Sequence, residues 1–310
     1  MPNQDVARDK CPFFSILIPS YYSNQTLLET LDSLFRQTFQ SWQVIVCDDG
    51  TADFDRESLE RQIQVHLPAG CTAAVLCQSQ NVGTVRNLNT ALKEASGQWV
   101  LLLAADDVLA ETTTLERLAA VAADTAKPWI VSRTELCDKA LCRTGKLSPV
   151  NIQMLRGKTA AELYEKLCMG CVLPSSGNLY RRTLLENLGG FDERYRLVED
   201  WPLFLKLTRA GVMPELCNEV SVLHRDGGVS CPSAARKNRT YRGDLIETMR
   251  REILPHLEDI PQKRRAAVRR RCEDKMAIYE YRFERSGFCS RLKWLLLHGD
   301  VIIRKLMEQV

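Results

Sequence analysis

The chain has 310 residues, 45% of them hydrophobic and 26% charged, with a formal net charge of +3. That length holds one large α/β domain, or one such domain with a smaller appendage, and supports a core without disulfide or metal staples. No apolar run approaches the length of a membrane span, and the polar, charged N-terminus has none of the features of a signal peptide, so a cytoplasmic protein is expected.

Charge is uneven along the chain. From Arg236 to Val310 there are 19 Lys/Arg and 11 Asp/Glu, which leaves 23 against 28 in residues 1–235. The front is mildly acidic and the tail basic, as where a surface meets anions. The boundary suggests a domain over 1–235 and a basic helical extension over 236–310. The twelve cysteines are scattered, and Cys47, Cys77 and Cys217 lie inside apolar runs, so small buried thiols in a reducing compartment are the simplest reading. Cys137 with Cys142, and Cys168 with Cys171, make poor zinc pairs. Only the second has CxxC spacing, and no matching pair lies nearby.

In chain order, Phe13–Ser20 (FFSILIPS) reads as a buried strand stopped by Pro19, and Thr26–Phe39 as an amphipathic helix packing back on the sheet. Trp42–Cys47 (WQVIVC) is a second strand, ending in Asp48, Asp49 and Gly50; strand, helix, strand at this length is a right-handed βα unit. A helix over Phe54–Gln64 and a strand over Ala73–Cys77 follow. In NVGTVRNLNTAL a glycine turn opens a helix with Arg86 near its start, against the helix dipole, so a bound phosphate or a nearby carboxylate should compensate it. The glycine pattern is neither GxGxxG nor a P-loop.

Gln98–Val108 (QWVLLLAADDV) is short, apolar throughout and follows the turn pair Ser96-Gly97, so it reads as a central parallel strand buried on both faces. Its end delivers Asp106 and Asp107 to the carboxyl edge of the sheet, beside Asp48 and Asp49, where open α/β sheets place ligands. Adjacent carboxylates repel unless a cation or hydrogen-bond donors intervene. A divalent metal holding a diphosphate accounts for the pair; helix capping before VLAETTTLERL accounts for one member of it.

Further on, the sequence predicts a helix over Leu115–Ala123, a strand over Trp129–Ser132, loop and edge strand over 135–158, a helix over Thr159–Leu167 and a return to the sheet over Gly170–Tyr180. A short helix and a Gly-Gly turn precede a helix opened by Glu199 and Asp200, with Pro202 where a first-turn proline is tolerated. Acidic residues there are ordinary capping when taken alone. A last strand spans Val220–His224. Residues 236–310 read as three helices, through Tyr241–Arg250, over Gln262–Arg285, and from Gly287. The last, with Trp294, Leu295 and Ile302 among Arg291, Lys293 and Arg304, suits an interfacial helix on anionic lipid; docking on the domain or on a second subunit is the alternative.

Together, SILIPSYY, QTFQSWQVIVCDDGTAD, NVGTVRNLNTALKEASGQWVLLLAADD and GGFDERYRLVEDWPLFLKL resemble, in order and spacing, the family 2 inverting glycosyltransferases. The resemblance covers about residues 13–230. It implies the GT-A fold, an α/β, Rossmann-like, mixed and mostly parallel sheet flanked by helices, here with a helical C-terminal extension. It further implies a nucleotide-sugar donor, UDP-linked by family habit, Mn²⁺ or Mg²⁺ as cofactor, and a glycan or polyprenyl-linked acceptor in cell-surface polysaccharide synthesis.

Position by position, Pro19 and Tyr21 fall beside the base, and Asp49 on the residue that accepts from it. Gly83 and Arg86 fall beside the nucleotide and phosphates, and Asp106 on the ribose position. Asp107 matches the metal-binding position, and His224 a further metal ligand, with Arg225 in the same donor-covering loop. Asp200 resembles the catalytic base and Glu199 its acceptor-orienting neighbour. Ala104 stands where many members carry another Asp, so the metal is kept on a bare pair. A nucleotide-binding protein of the same fold without transfer activity is the alternative. Nucleic acid is not an expected partner, because the basic run KRRAAVRRRCEDK lacks interleaved aromatics.

Overall fold

A computed structural model describes residues 11–148, 155–228, 238–283 and 299. They divide into two compact units, interleaved along the chain. One draws on Met1–Gly157, Val172–Arg194 and Val212–Asp226, the other on Lys158–Cys171, Tyr195–Gly211 and Gly227–Val310.

The first unit holds a sheet of nine strands: β1 Phe14–Ser20, β2 Trp42–Asp48, β3 Thr72–Cys77, β4 Trp99–Leu102, β5 Val108–Leu109, β6 Trp129–Cys137, β7 Arg143–Ser148, β8 Asn178–Arg181 and β9 Glu215–Arg225. The order is β3-β2-β1-β4-β8-β6-β9-β5, with β7 paired to β6. Strands β3, β2, β1 and β4 run parallel, β8 is antiparallel to both β4 and β6, and β6 and β9 are again parallel. The sheet is therefore mixed. Helices α1 (Asn24–Phe35), α2 (Arg56–His66), α3 (Thr84–Lys93), α4 (Thr114–Asp124) and α6 (Arg182–Asn187) belong to this unit; α5 is described with the second. Ile16, Ile18, Val44, Val46, Trp99 and Leu101 join Leu27, Leu31 and Leu34 of α1 and Leu115 and Leu118 of α4 in one apolar core.

Several expected boundaries move. The strand expected to carry Asp106 and Asp107 stops at Leu102. One further bond, Leu103 N–H to Leu17 O at 3.1 Å, continues it, and a turn closed by Asp107 N–H to Ala104 O at 3.1 Å follows. Strand β4 is parallel to β1 on one side only and antiparallel to β8 on the other. The helix expected to reach Phe39 ends at Phe35, because buried Gln37 turns its amide away, donating to Ser33 O and Glu111 O and accepting from Leu115 N–H. Strand β6 continues to Cys137 and β9 begins at Glu215, since each provides the other's parallel partner across polar positions. Cys77 is exposed, at the end of the outer strand β3. The ten cysteines among the described residues are free thiols.

The second unit comprises α5 (Ala160–Met169), α7 (Asp200–Arg209), α8 (Arg239–Thr248) and α9 (Gln262–Phe283), with a π-helical turn at Met249–Ile253 and a 3₁₀ stretch at Leu254–Asp259 between the last two. Thr159-Ala-Ala-Glu162 opens α5 with a reciprocal capping box. Among the described residues no helix is long and apolar enough to cross a membrane. The helix expected from Gly287 lies outside them, Gly299 excepted.

Gly97 shows how closely the central strands approach. A Cβ there would lie 2.5 Å from Ser15 N, and its own N–H donates to Ser15 Oγ at 2.8 Å. Gly97→Ala should therefore lower stability by about 1–3 kcal/mol in urea unfolding, as overpacked sites do; an unchanged midpoint would contradict this packing.

Candidate active site

At the carboxyl ends of β1 and β2, short polar bonds shape the loops. Pro19 remains within β1, paired with Cys47. Tyr21 and Tyr22 follow, 47% and 63% exposed, with rings edge to face at 4.6 Å. Tyr22 has φ +52°, and its N–H donates to Thr51 Oγ1 at 2.9 Å. Asp48 and Asp49 are both buried. Asp48 accepts from Thr51 N–H through Oδ2, while its Oδ1 and the neighbouring Ser20 Oγ have no hydrogen-bond partner. Asp49 accepts from Val82 N–H at 2.7 Å and Gly83 N–H at 2.9 Å, one on each oxygen, which ties the β2 end to the start of α3. Gly83, at φ +93°, adopts a backbone conformation that favours glycine, and α3 begins at the next residue. Arg86, in the first turn of α3, pairs with Glu193 at 3.3 Å, and both side chains are largely exposed. Of the two compensations expected for Arg86, a carboxylate is the one present. An exposed pair of this kind is weak enough for a stronger anion to displace it.

The Asp106-Asp107 turn lies between β4 and β5. Asp107 is 0% exposed. Ser176 Oγ donates to its Oδ2 at 2.6 Å, His224 Nδ1 donates at 2.9 and 3.0 Å, and Arg225 N–H donates to Oδ1 at 3.1 Å. Neither carboxylate caps the next helix, because β5 intervenes and α4 starts only at Thr114, after Thr113. Arg225 is itself buried, with Nε donating to Asp106 O at 2.9 Å and the guanidinium reaching Lys139 O and Glu29. In this conformation it braces the turn against α1 and the β6–β7 hairpin.

Burial, and then the charge of Asp107, raise the Asp106 carboxyl above its usual range. Burial pulls the His224 imidazole down, but its hydrogen bond to Asp107 and the charges of Asp107, Asp106 and Asp226 outweigh that pull, and the net direction is upward. Among the described residues no three His, Cys, Asp or Glu side chains converge on one cation position. Asp106 is half-buried, and with His224 Nδ1 committed to Asp107 the imidazole has Nε2 as its other donor atom. An imidazole fixed by a carboxylate behind it is a recurrent metal ligand. Sequence reasoning assigned the cation to Asp107, with His224 as a further ligand; in the structure the Asp107 carboxylate accepts from Ser176, His224 and the Arg225 amide.

Glu199 and Asp200 open α7 in the second unit. Glu199 makes no capping bond. Asp200 Oδ1 accepts from Trp201 N–H at 2.6 Å and Oδ2 from Cys171 Sγ at 3.9 Å, while Trp201 Nε1 anchors to Leu167 O at 2.9 Å. Burial, and then the charge of Asp200, push Glu199 up to about 8. Burial raises Asp200 as well, against the backbone N–H of Trp201. Two such carboxyls side by side do not readily ionise together near neutrality. Burial also raises the Tyr241 hydroxyl, and the nearby charges of Asp200, Cys171, Tyr279 and Glu199 add to it. Sequence reasoning missed Ser176 and Tyr241, which stand in no recognisable motif, the bracing role of Arg225, and Cys171 as a neighbour of Asp200, which it weighed only as a poor zinc pair with Cys168.

A sequence-family model for glycosyl transferase family 2 matches residues 15–189, more than half of the chain. Over 190 residues the chain is 26% identical to a PGL/p-HBAD biosynthesis glycosyltransferase of Mycobacterium bovis, covering 61% of this chain and 67% of that protein. Over 204 residues it is 25% identical to the Escherichia coli UDP-Glc:alpha-D-GlcNAc-diphosphoundecaprenol beta-1,3-glucosyltransferase WfgD, covering 63% and 69%. It superposes on residues 1–349 of S. aureus TarS in complex with UDP-GlcNAc with a TM-score of 0.61 at 18% identity, covering 93% of this chain and 80% of that one. It spans 48% of the longer TarS chain. The likeness to TarS shows a shared GT-A fold.

The Asp107–His224 contact gives a direct prediction. In metal-free protein the imidazole should titrate above its ordinary value of 6.5. Its contribution to stability should be complete below the unfolded pKa and disappear as pH rises through the folded one. In Asp107→Asn, burial acts unopposed by that charge and the pKa should fall; an NMR titration that is the same in both proteins would contradict the contact.

Proposed function

The chain belongs to glycosyl transferase family 2, and we propose that it moves a sugar, with inversion, from a nucleoside diphosphate sugar to a hydroxyl of a glycan or polyprenyl-linked acceptor in cell-surface polysaccharide synthesis. UDP is the favoured nucleotide, in keeping with the donor named for WfgD and the ligand held by TarS. The observation that carries the reading is the Glu199–Asp200 pair: two adjacent, half-buried carboxyls whose proton affinities are both raised. A protein that only binds a nucleotide has no use for such a pair, and groups tuned this way mark acid–base sites.

In the proposed reaction Asp200 takes the proton of the acceptor hydroxyl as that oxygen attacks the anomeric carbon from the face opposite the nucleotide. A raised pKa makes Asp200 a stronger base than a free carboxylate. Protonated Glu199 donates a hydrogen bond that orients the acceptor. On the donor side, Asp49 and Gly83 fix the turn beside the nucleotide, Pro19 and Tyr21 border the base, and Asp106 lies toward the ribose and diphosphate. Arg86 exchanges Glu193 for phosphate. Asp106 and His224 would hold Mn²⁺ or Mg²⁺, with Asp107 orienting the imidazole, and such a cation would supply positive charge against the departing diphosphate. The basic residues after 236 support placement at the anionic inner face of the membrane, and Lys263, Arg269 and Arg270 of α9 are exposed.

Asp200→Asn should keep donor affinity and lose on the order of 10²-fold or more in turnover, the range of a general base. The wild-type rate should rise with pH on an acid limb that lies above the ordinary carboxylate range. Both are read by UDP release from UDP-glucose and UDP-N-acetylglucosamine with a GlcNAc-diphosphoundecaprenol acceptor. Normal turnover of Asp200→Asn would overturn the assignment.

A further inference from the structure

Asp244 lies inside α8, beyond the segment that matches the family, and no motif points to it. Aspartate is a poor residue for a helix interior, and this one is 7% exposed. Burial raises its pKa, opposed by backbone hydrogen bonds from Leu197, Arg196 and Val198. All three reach one oxygen: Oδ2 accepts from Arg196 N–H at 2.9 Å, Leu197 N–H at 2.6 Å and Val198 N–H at 3.2 Å. A carboxylate taken out of water is costly, and three charge-assisted bonds offset that cost only if the loop holds its shape. Helix α8 is anchored in turn, by Asn238 Oδ1 accepting from Tyr241 N–H at 3.0 Å at its start, and by Thr248 Oγ1 donating to Asp244 O at 2.8 Å.

The three amides belong to the residues immediately before Glu199 and Asp200. We propose that Asp244 is a positioning residue for the Glu199–Asp200 pair, fixing the 196–198 backbone so that both carboxyls enter α7 in the orientation that transfer requires. The helix after the sheet thereby becomes a working part of the acid–base site. The inference rests on Asp200 being the base. Displacement of a reacting group by about 1 Å can cost about 10²-fold in rate, so the anchor acts on kcat and leaves donor binding in place.

The test compares Asp244→Ala, Asp244→Asn and Asp200→Asn with wild type, well below their melting temperatures. Backbone amide exchange is measured at 196–198, UDP affinity by calorimetry, and turnover as UDP release from UDP-glucose and UDP-N-acetylglucosamine with a GlcNAc-diphosphoundecaprenol acceptor. Faster exchange at 196–198, UDP affinity unchanged, and kcat down by about 10- to 100-fold in Asp244→Ala are expected. Partial recovery is expected in Asp244→Asn, which keeps an acceptor oxygen. Unchanged exchange, or faster exchange with wild-type kcat, in whichever variant folds would overturn the inference. Normal turnover in Asp200→Asn would instead remove the reading beneath it, while the exchange data would still report the hold of Asp244 on the loop.

Discussion

A carboxylate with no solvent contact needs donors on every side, and Asp107 determines how the sheet presents its ligand edge. Ser176 before β8, His224 and Arg225 at the end of β9, and the turn after β4 all meet on this one group. Without Asp107, Ser176, His224 and the Arg225 amide would lose a shared acceptor, so this group ties the turn bearing Asp106 to the ends of the sheet. Like charge from Asp107 and partial burial make Asp106 poorly compensated within the protein, which is the state of a side chain awaiting a cation or a ligand.

The proposed acid–base pair, Glu199 and Asp200, follows the same physics with a different balance. At Asp107 the fold supplies three donors; at Asp200 it supplies the Trp201 amide and the Cys171 thiol, and burial still raises the proton affinity of both Asp200 and Glu199. Their loop is secured from behind by Asp244. Rigid support with reactive groups left short of partners is the usual construction of a site that must bind charge or move a proton.

Much of this was legible in the sequence because the chemistry sits in local patterns. FSILIPS, WQVIVCD and WVLL read as buried strands; the doublet Asp48-Asp49 closes the second, and Asp106-Asp107 follows the third after three residues. The Gly83 turn, the helix opened by Asp200 and the mixed sheet were likewise readable. What escaped depends on long-range pairing. Strand β4 ends at Leu102 with no local breaker, and the bonds that hold the Asp107 turn after it come from Ser176, His224 and Arg225, far away in sequence. The length of β6 is set by β9, far away in sequence. Asp244, Ser176 and the bracing of Arg225 are polar residues in unremarkable surroundings whose partners only the fold supplies. The glycosyltransferase family was legible for the opposite reason, its four segments being contiguous and ordered.

The most direct measurement is calorimetry of UDP, GDP, dTDP and CMP binding, with and without Mn²⁺, to wild type, Asp106→Ala and His224→Ala. One diphosphate should bind in a metal-dependent way, and either substitution should abolish the metal dependence. Failure of every nucleotide to bind wild-type protein, or metal-dependent binding that survives both substitutions, would contradict a donor site built on these residues.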